Sequence, residues 1–195
     1  IARMSTEWKI EQATAAEKAA LDFDPRVQNS EGASFDSHIG RRVFANSRGF
    51  VGSYRTSSCG LSVVPVAKDD SGMERDYWHT SSRMARGLES AELVGRRAAE
   101  RAIRRLGARK VATQKVPVIF EPRTGRSLLG DLFGAVNGSA IYKDASFLAG
   151  KLGQKIGAET LTVVDDATLP GLFGTAPFDD EGVASRRTVV IDKGV

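Results

Sequence analysis

The sequence predicts an α+β fold: an antiparallel β-meander with flanking helices over residues 1–110, then the start of a second β-rich domain over residues 115–195. Three observations carry this expectation. The opening segment is rich in Ala, Glu and Lys, a helical composition. Residues 26–86 are dominated by Gly, Ser, Thr, Val, Phe and Tyr and are punctuated by turn signals. Residues 90–106 repeat apolar side chains at helical spacing.

Taken in order, the first helix runs from Thr6 to about Asp22, and Asp24-Pro25 closes it because a residue before proline avoids the helical region. Asn46-Ser47-Arg48-Gly49 separates Arg42–Ala45 from Phe50–Arg55 and reads as a hairpin turn, with glycine supplying a positive φ. A long second strand follows from Phe50 to Ala67, with a break expected near Gly60. Lys68–Gly72 forms the next turn, and Met73–Arg83 is expected as a single third strand.

Ser90 is a plausible N-cap for the clearest helix. Ala91, Val94, Ala98, Ala102 and Leu106 share one face, while Arg97, Glu100, Arg101 and Arg104 are expected on the wet side. Glu92–Arg96 and Glu100–Arg104 are spaced as favourable pairs, and Gly107 ends the helix. Residues 108–114 read as a linker. Beyond it, Lys115–Phe120 is expected as a short edge strand with a proline near its start. Thr124–Ala135 and Ser146–Ile156 are expected as helices, and Thr160–Val164 and Arg187–Ile191 as strands.

Composition sets outer limits. At 195 residues with 41% hydrophobic and 27% charged content, the chain can build a core without disulfides. The single cysteine, Cys59, fits a reducing cytoplasm. No apolar run is long enough to span a bilayer. The start at Ile1 and the stop just after a strand lead to the expectation of a fragment cut from a longer chain. Net charge is +4, and residues 83–110 hold nine Arg or Lys against three Glu. Half of this basic patch is the wet side of the amphipathic helix, so nucleic acid is not the expected ligand.

Several blocks carry a more specific signal. Gly150–Ile156 precedes Thr162-Val163-Val164-Asp165-Asp166-Ala167-Thr168-Leu169-Pro170. Then come Phe178-Asp179-Asp180-Glu181-Gly182-Val183 and Arg187–Val195. Upstream stand Asp24–Val27, Ala45–Phe50 and Gly95–Ala102. In order and spacing these resemble the TldD/PmbA family, also called modulators of DNA gyrase. The resemblance covers nearly the whole chain and lacks the family's N-terminal domain and most of its C-terminal domain.

The family has two branches. In the protease branch a helix carries His-Glu-x-x-x-His, which supplies two zinc-binding imidazoles and a carboxylate base for the attacking water. Counting back from Phe147-Leu148-Ala149-Gly150-Lys151 puts those positions on Leu129, Gly130 and Gly134. Glu121-Pro122 and Phe133-Gly134-Ala135 resemble the other, PmbA-like branch. The resemblance therefore implies a chain that is not catalytic alone and has no metal or cofactor of its own, with zinc only in a TldD-like partner. It implies a homodimer or a pairing with that protease subunit, acting on unfolded peptides in the cytoplasm. A DNA- or topoisomerase-binding regulator is the alternative.

Nothing else in the sequence offers a substitute site. His38 and His79 stand alone, and Cys59 reads as a small buried apolar residue. Asp165-Asp166 and Asp179-Asp180-Glu181 read as turn caps, pairing with Arg186 and Arg187, rather than as cation ligands.

Overall fold

The computed structural model describes Ile1 and residues 4–195, and its elements follow the α+β expectation. Helix α1 spans Thr6–Leu21, and its first turn is closed by the Ser5 hydroxyl, which accepts from Trp8 N at 3.1 Å. Strands β1 (Val27–Ala45) and β2 (Val51–Asp69) form one long antiparallel hairpin. At its tip the Asn46 side chain accepts from the amides of Arg48 and Phe50, at 3.0 and 3.2 Å, and Gly49 takes φ +89°.

Two strands share the far edge of β2. Strand β3 (Gly72–Arg75) pairs with Val66–Asp69, and β4 (Trp78–Ser82) pairs with Cys59–Val63. The single third strand expected over Met73–Arg83 is thus two strands. Pro65 lies between the two pairings, and β1 is bulged between Ser30 and Ala33 around the same position. A proline has no N–H to give to a ladder, so the ladder is interrupted where it sits. The break expected near Gly60 does not occur: β2 runs through it in register with Asp36. A Cβ added at Gly60 would lie 2.6 Å from the Asp36 carboxylate, so that side chain would have to move to admit one.

Helix α2 (Ala91–Arg105) packs with α1 on one face of this sheet. Ser90 Oγ accepts from Leu93 N at 3.2 Å, as the cap reading requires. The interface is built of small residues: Ala16, Ala20, Ala98, Ala99 and Ala102 are all fully buried. Gly95 sets the helix separation, since a Cβ there would meet the Ala16 carbonyl oxygen at 2.2 Å. Leu61 and Val63 of β2, Val27 of β1 and Val94 of α2 complete the core.

Residues 1–110 form one compact unit together with residues 166–187; residues 111–165 and 188–195 form another. In the second unit, α3 spans Pro122–Val136 and α4 spans Gly138–Tyr142. Proline stands in the first turn of α3, where its missing N–H costs nothing. Strands β5 (Val163–Asp166) and β6 (Arg187–Ile191) pair with each other. Strand β5 begins three residues later than the expected Thr160.

Two further expectations fail here. Lys115–Phe120 forms no strand, and Ile119 is 98% exposed. Ser146–Ile156 is a series of turns rather than a helix, because Gly150 and Gly153 adopt φ of +70° and +77°. Among the described residues no helix is long and apolar enough to cross a membrane.

Candidate functional site

Helix α3 carries the three positions that the family resemblance aligns with the zinc motif. Leu129, Gly130 and Gly134 all lie within it, and Leu129 is 45% exposed. A Cβ added at Gly130 or Gly134 would meet no atom within 4 Å. Packing therefore does not force glycine at either position; there is room for a larger side chain. The residues present are a hydrocarbon and two bare backbones, and they offer no imidazole, carboxylate or thiol. They do not fit a zinc ion, whose ligands are nitrogen, sulfur or carboxylate oxygen.

The remaining candidate groups are held apart. His38 is on β1 with its ring over Gly40, and His79 is on β4, stacked on Tyr77 at 5.9 Å between ring centroids. Cys59 is 1% exposed, its Sγ is 3.5 Å from the Ser82 carbonyl oxygen, and burial pushes its thiol pKa up. It is thus kept protonated and unreactive at neutral pH. Among the described residues, no group of three or more His, Cys, Asp or Glu gathers at metal-binding distance.

The acidic clusters cap turns. Asp166 Oδ1 accepts from the hydroxyl and amide of Thr168, at 2.6 and 2.9 Å. These bonds, with a smaller contribution from Arg187, hold its carboxyl below the usual range. Asp179 Oδ1 accepts from the amides of Glu181 and Val183, both at 2.9 Å, which lowers its pKa in the same way. The expected arginine pairing is half met: Arg187 stands 3.9 Å from Asp166, but Asp180 pairs with Arg42 of the hairpin rather than with Arg186.

Sequence reasoning missed how residues 166–187 are held against the sheet. Phe178 is a wedge, edge-on to Phe50 and to Tyr54 with both centroid separations at 5.2 Å. Gly52 opens the slot for it, since a Cβ there would lie 2.6 Å from the Phe178 ring. The signal available was a glycine inside an alternating strand, which marks a close approach. Arg83 makes the second clamp, donating from Nε to the Leu172 carbonyl at 2.6 Å and from Nη2 to that of Phe173.

The basic helix flank is neutralised by local partners. Arg97, Arg104 and Arg105 pair with Glu89, Glu100 and Glu74 at 2.7, 2.5 and 3.2 Å. Arg96 reaches Glu92 at 3.6 Å. Arg97 and Arg101 are not on a wet face, as the helical wheel suggests. They are half-buried and stack on Trp78, at 5.1 and 5.6 Å from its ring centre.

Comparison with known proteins identifies the family of the chain. Residues 1–106 match the PmbA/TldA metallopeptidase central domain, and residues 113–195 match the PmbA/TldA metallopeptidase C-terminal domain. The chain is 39% identical over 194 residues to the metalloprotease PmbA of Escherichia coli O157:H7, spanning 100% of this chain and 43% of that protein. A crystal structure from Bacteroides thetaiotaomicron, of a candidate modulator of DNA gyrase, superposes with a TM-score of 0.91 at 32% identity, covering 99% of this chain and 44% of that one. TldE from Thermococcus kodakarensis superposes with a TM-score of 0.81 at 26% identity, covering 98% and 43%. The chain thus spans less than half the length of these relatives.

Proposed function

We propose, from the premise that this chain belongs to the PmbA/TldD metallopeptidase family, that it is the non-catalytic partner in a cytoplasmic two-subunit peptidase. Its role is to shape the cavity in which a zinc-bearing, TldD-like subunit processes unfolded peptides. One observation carries this reading. At the helical positions where the protease branch sets two imidazoles and a carboxylate, α3 has Leu129, Gly130 and Gly134, in space open enough to accept larger groups.

Hydrolysis of a peptide bond by a zinc enzyme needs a Lewis acid and a base for the attacking water. Neither leucine nor glycine supplies a metal ligand or moves a proton. What this chain does offer is sheet edge: among the described residues β1 pairs on one side only. An extended peptide is held well by such an edge, because main-chain hydrogen bonds give affinity without demanding a sequence. The alternative of nucleic-acid binding loses its motive, since the arginines of α2 that suggested it are paired with local carboxylates.

The test is zinc content and peptidase activity of the purified full-length protein, alone and mixed with a TldD-like subunit. The expected result is substoichiometric zinc and no cleavage alone, with cleavage restored by the mixture. Stoichiometric zinc with activity in the absence of a partner refutes the proposal.

A further inference from the structure

The β1–β2 hairpin has one face that changes character along its length. Between Ala33↔Val63 and Ala45↔Val51 the register is unbroken, so odd-numbered residues stay on one face throughout. Near the base of the hairpin this face carries Phe35, Leu61 and Val63 into the core with α1 and α2. Toward the tip the same face is bare. Ile39, Val43 and Val51 are 53%, 63% and 76% exposed. The opposite face at the tip is the one that takes Phe178 and pairs Arg42 with Asp180.

Two cations sit in the middle of the bare stretch. Arg41 and Arg55 are direct cross-strand partners. Like charges directly opposite one another destabilise a sheet. Arg41 donates to the Ser53 hydroxyl at 3.0 Å, and among the described residues neither arginine has a carboxylate partner. Elsewhere in the same unit, arginines 26, 42, 75, 96, 97, 104 and 105 each have one. Arg55 also borders a groove of about 650 Å³ that Arg83 and Arg86 line as well and that, among the described residues, no acidic side chain lines.

We infer that this face, from Ile39 to Arg55, binds an acidic extended polypeptide segment whose carboxylates pair with Arg41 and Arg55 while its aliphatic side chains cover Ile39, Val43 and Val51. The ligand class comes from the peptide-handling reading above; its charge comes from the patch. A single-stranded nucleic acid is disfavoured because its bases stack on aromatic rings, and the exposed apolar residues here are β-branched aliphatics.

The test uses the full chain and three short labelled unstructured peptides that alternate Val with Glu, Ser or Lys, read by fluorescence anisotropy. The Val-Glu peptide is expected to bind at least about tenfold more tightly than the Val-Ser peptide, with the preference shrinking as salt rises. The combined Arg41→Gln and Arg55→Gln variant is expected to lose that preference, while Arg104→Gln keeps it. The combined Arg41→Glu and Arg55→Glu variant is expected to turn the preference toward the Val-Lys peptide. Equal binding of all three peptides overturns the assignment and leaves the peptide-handling role standing. Binding of none overturns the assignment, while the subunit-mixing assay decides the role by itself. Tighter binding of single-stranded DNA, lost in the Gln variant, overturns it in favour of nucleic acid.

Discussion

Helices α2 and α3 are both 15 residues long and both amphipathic, yet they end in opposite environments. Six residues of α2 are buried: Ala91, Val94, Gly95, Ala98, Ala99 and Ala102. None of α3 is, and Leu128, Leu129 and Phe133 stay 38% to 49% exposed. Periodicity alone gives both helices an apolar face; what differs is whether anything within the same unit covers it. Small residues on α2 let α1 come close enough to lock the pair. The larger side chains of α3 stand open, and a Cβ added at Gly130 or Gly134 would have no atom within 4 Å. Amphipathicity therefore states that a face needs a partner and not where the partner is.

The most sensitive way to break this comparison is to make the same substitution in both helices. Gly95→Ala pushes a methyl group into the Ala16 carbonyl, so about 3 kcal/mol of stability should be lost in urea unfolding. Gly130→Ala enters open space and removes a helix-interior glycine, so it should gain about 0.5–1 kcal/mol in the same assay. Equal effects at the two sites would mean that the close approach of α1 and α2 is wrong.

Next in size, Val94→Ala removes two methyl groups from a fully buried position and should cost about 2 kcal/mol. Leu129→Ala, with nearly half its surface already in water, should stay within about 0.5 kcal/mol of the parent. About 1 kcal/mol, half the Val94→Ala loss, is expected for Ser90→Ala, which frees the amide that the hydroxyl caps at 3.2 Å.

The smallest effect is one of pH and concerns the turn after α1. Hydrogen bonds from Arg26 hold Asp24 at about 2, down from 3.8. A carboxyl depressed in the folded state adds stability that is full above its unfolded value and is lost as pH falls through the folded one. The Asp24 contribution should thus hold down to about pH 4 and fade toward pH 2. A carboxyl NMR titration checks it: a midpoint near 3.8 would mean the Asp24–Arg26 bonds do not form in solution.

Much of this was legible in the sequence by itself. The α+β class, the cap at Ser90, the Asn46–Gly49 turn and the i,i+4 pairs of α2 all depend on neighbours within a few residues, and local chemistry is written locally. The same holds for the candidate site, because the absence of a donor atom at Leu129, Gly130 and Gly134 is a matter of residue identity alone. Only the tertiary structure decided the rest. Pro65 splits the third strand through a ladder it cannot serve, Gly150 and Gly153 unwind a stretch that reads as helical, and Phe178 finds Gly52 from more than a hundred positions away. Asp180 turns to Arg42 rather than to its sequence neighbour Arg186. Each of these rests on contacts between distant segments, whose energies depend on distance in space. A linear pattern records only the order in which those segments are joined.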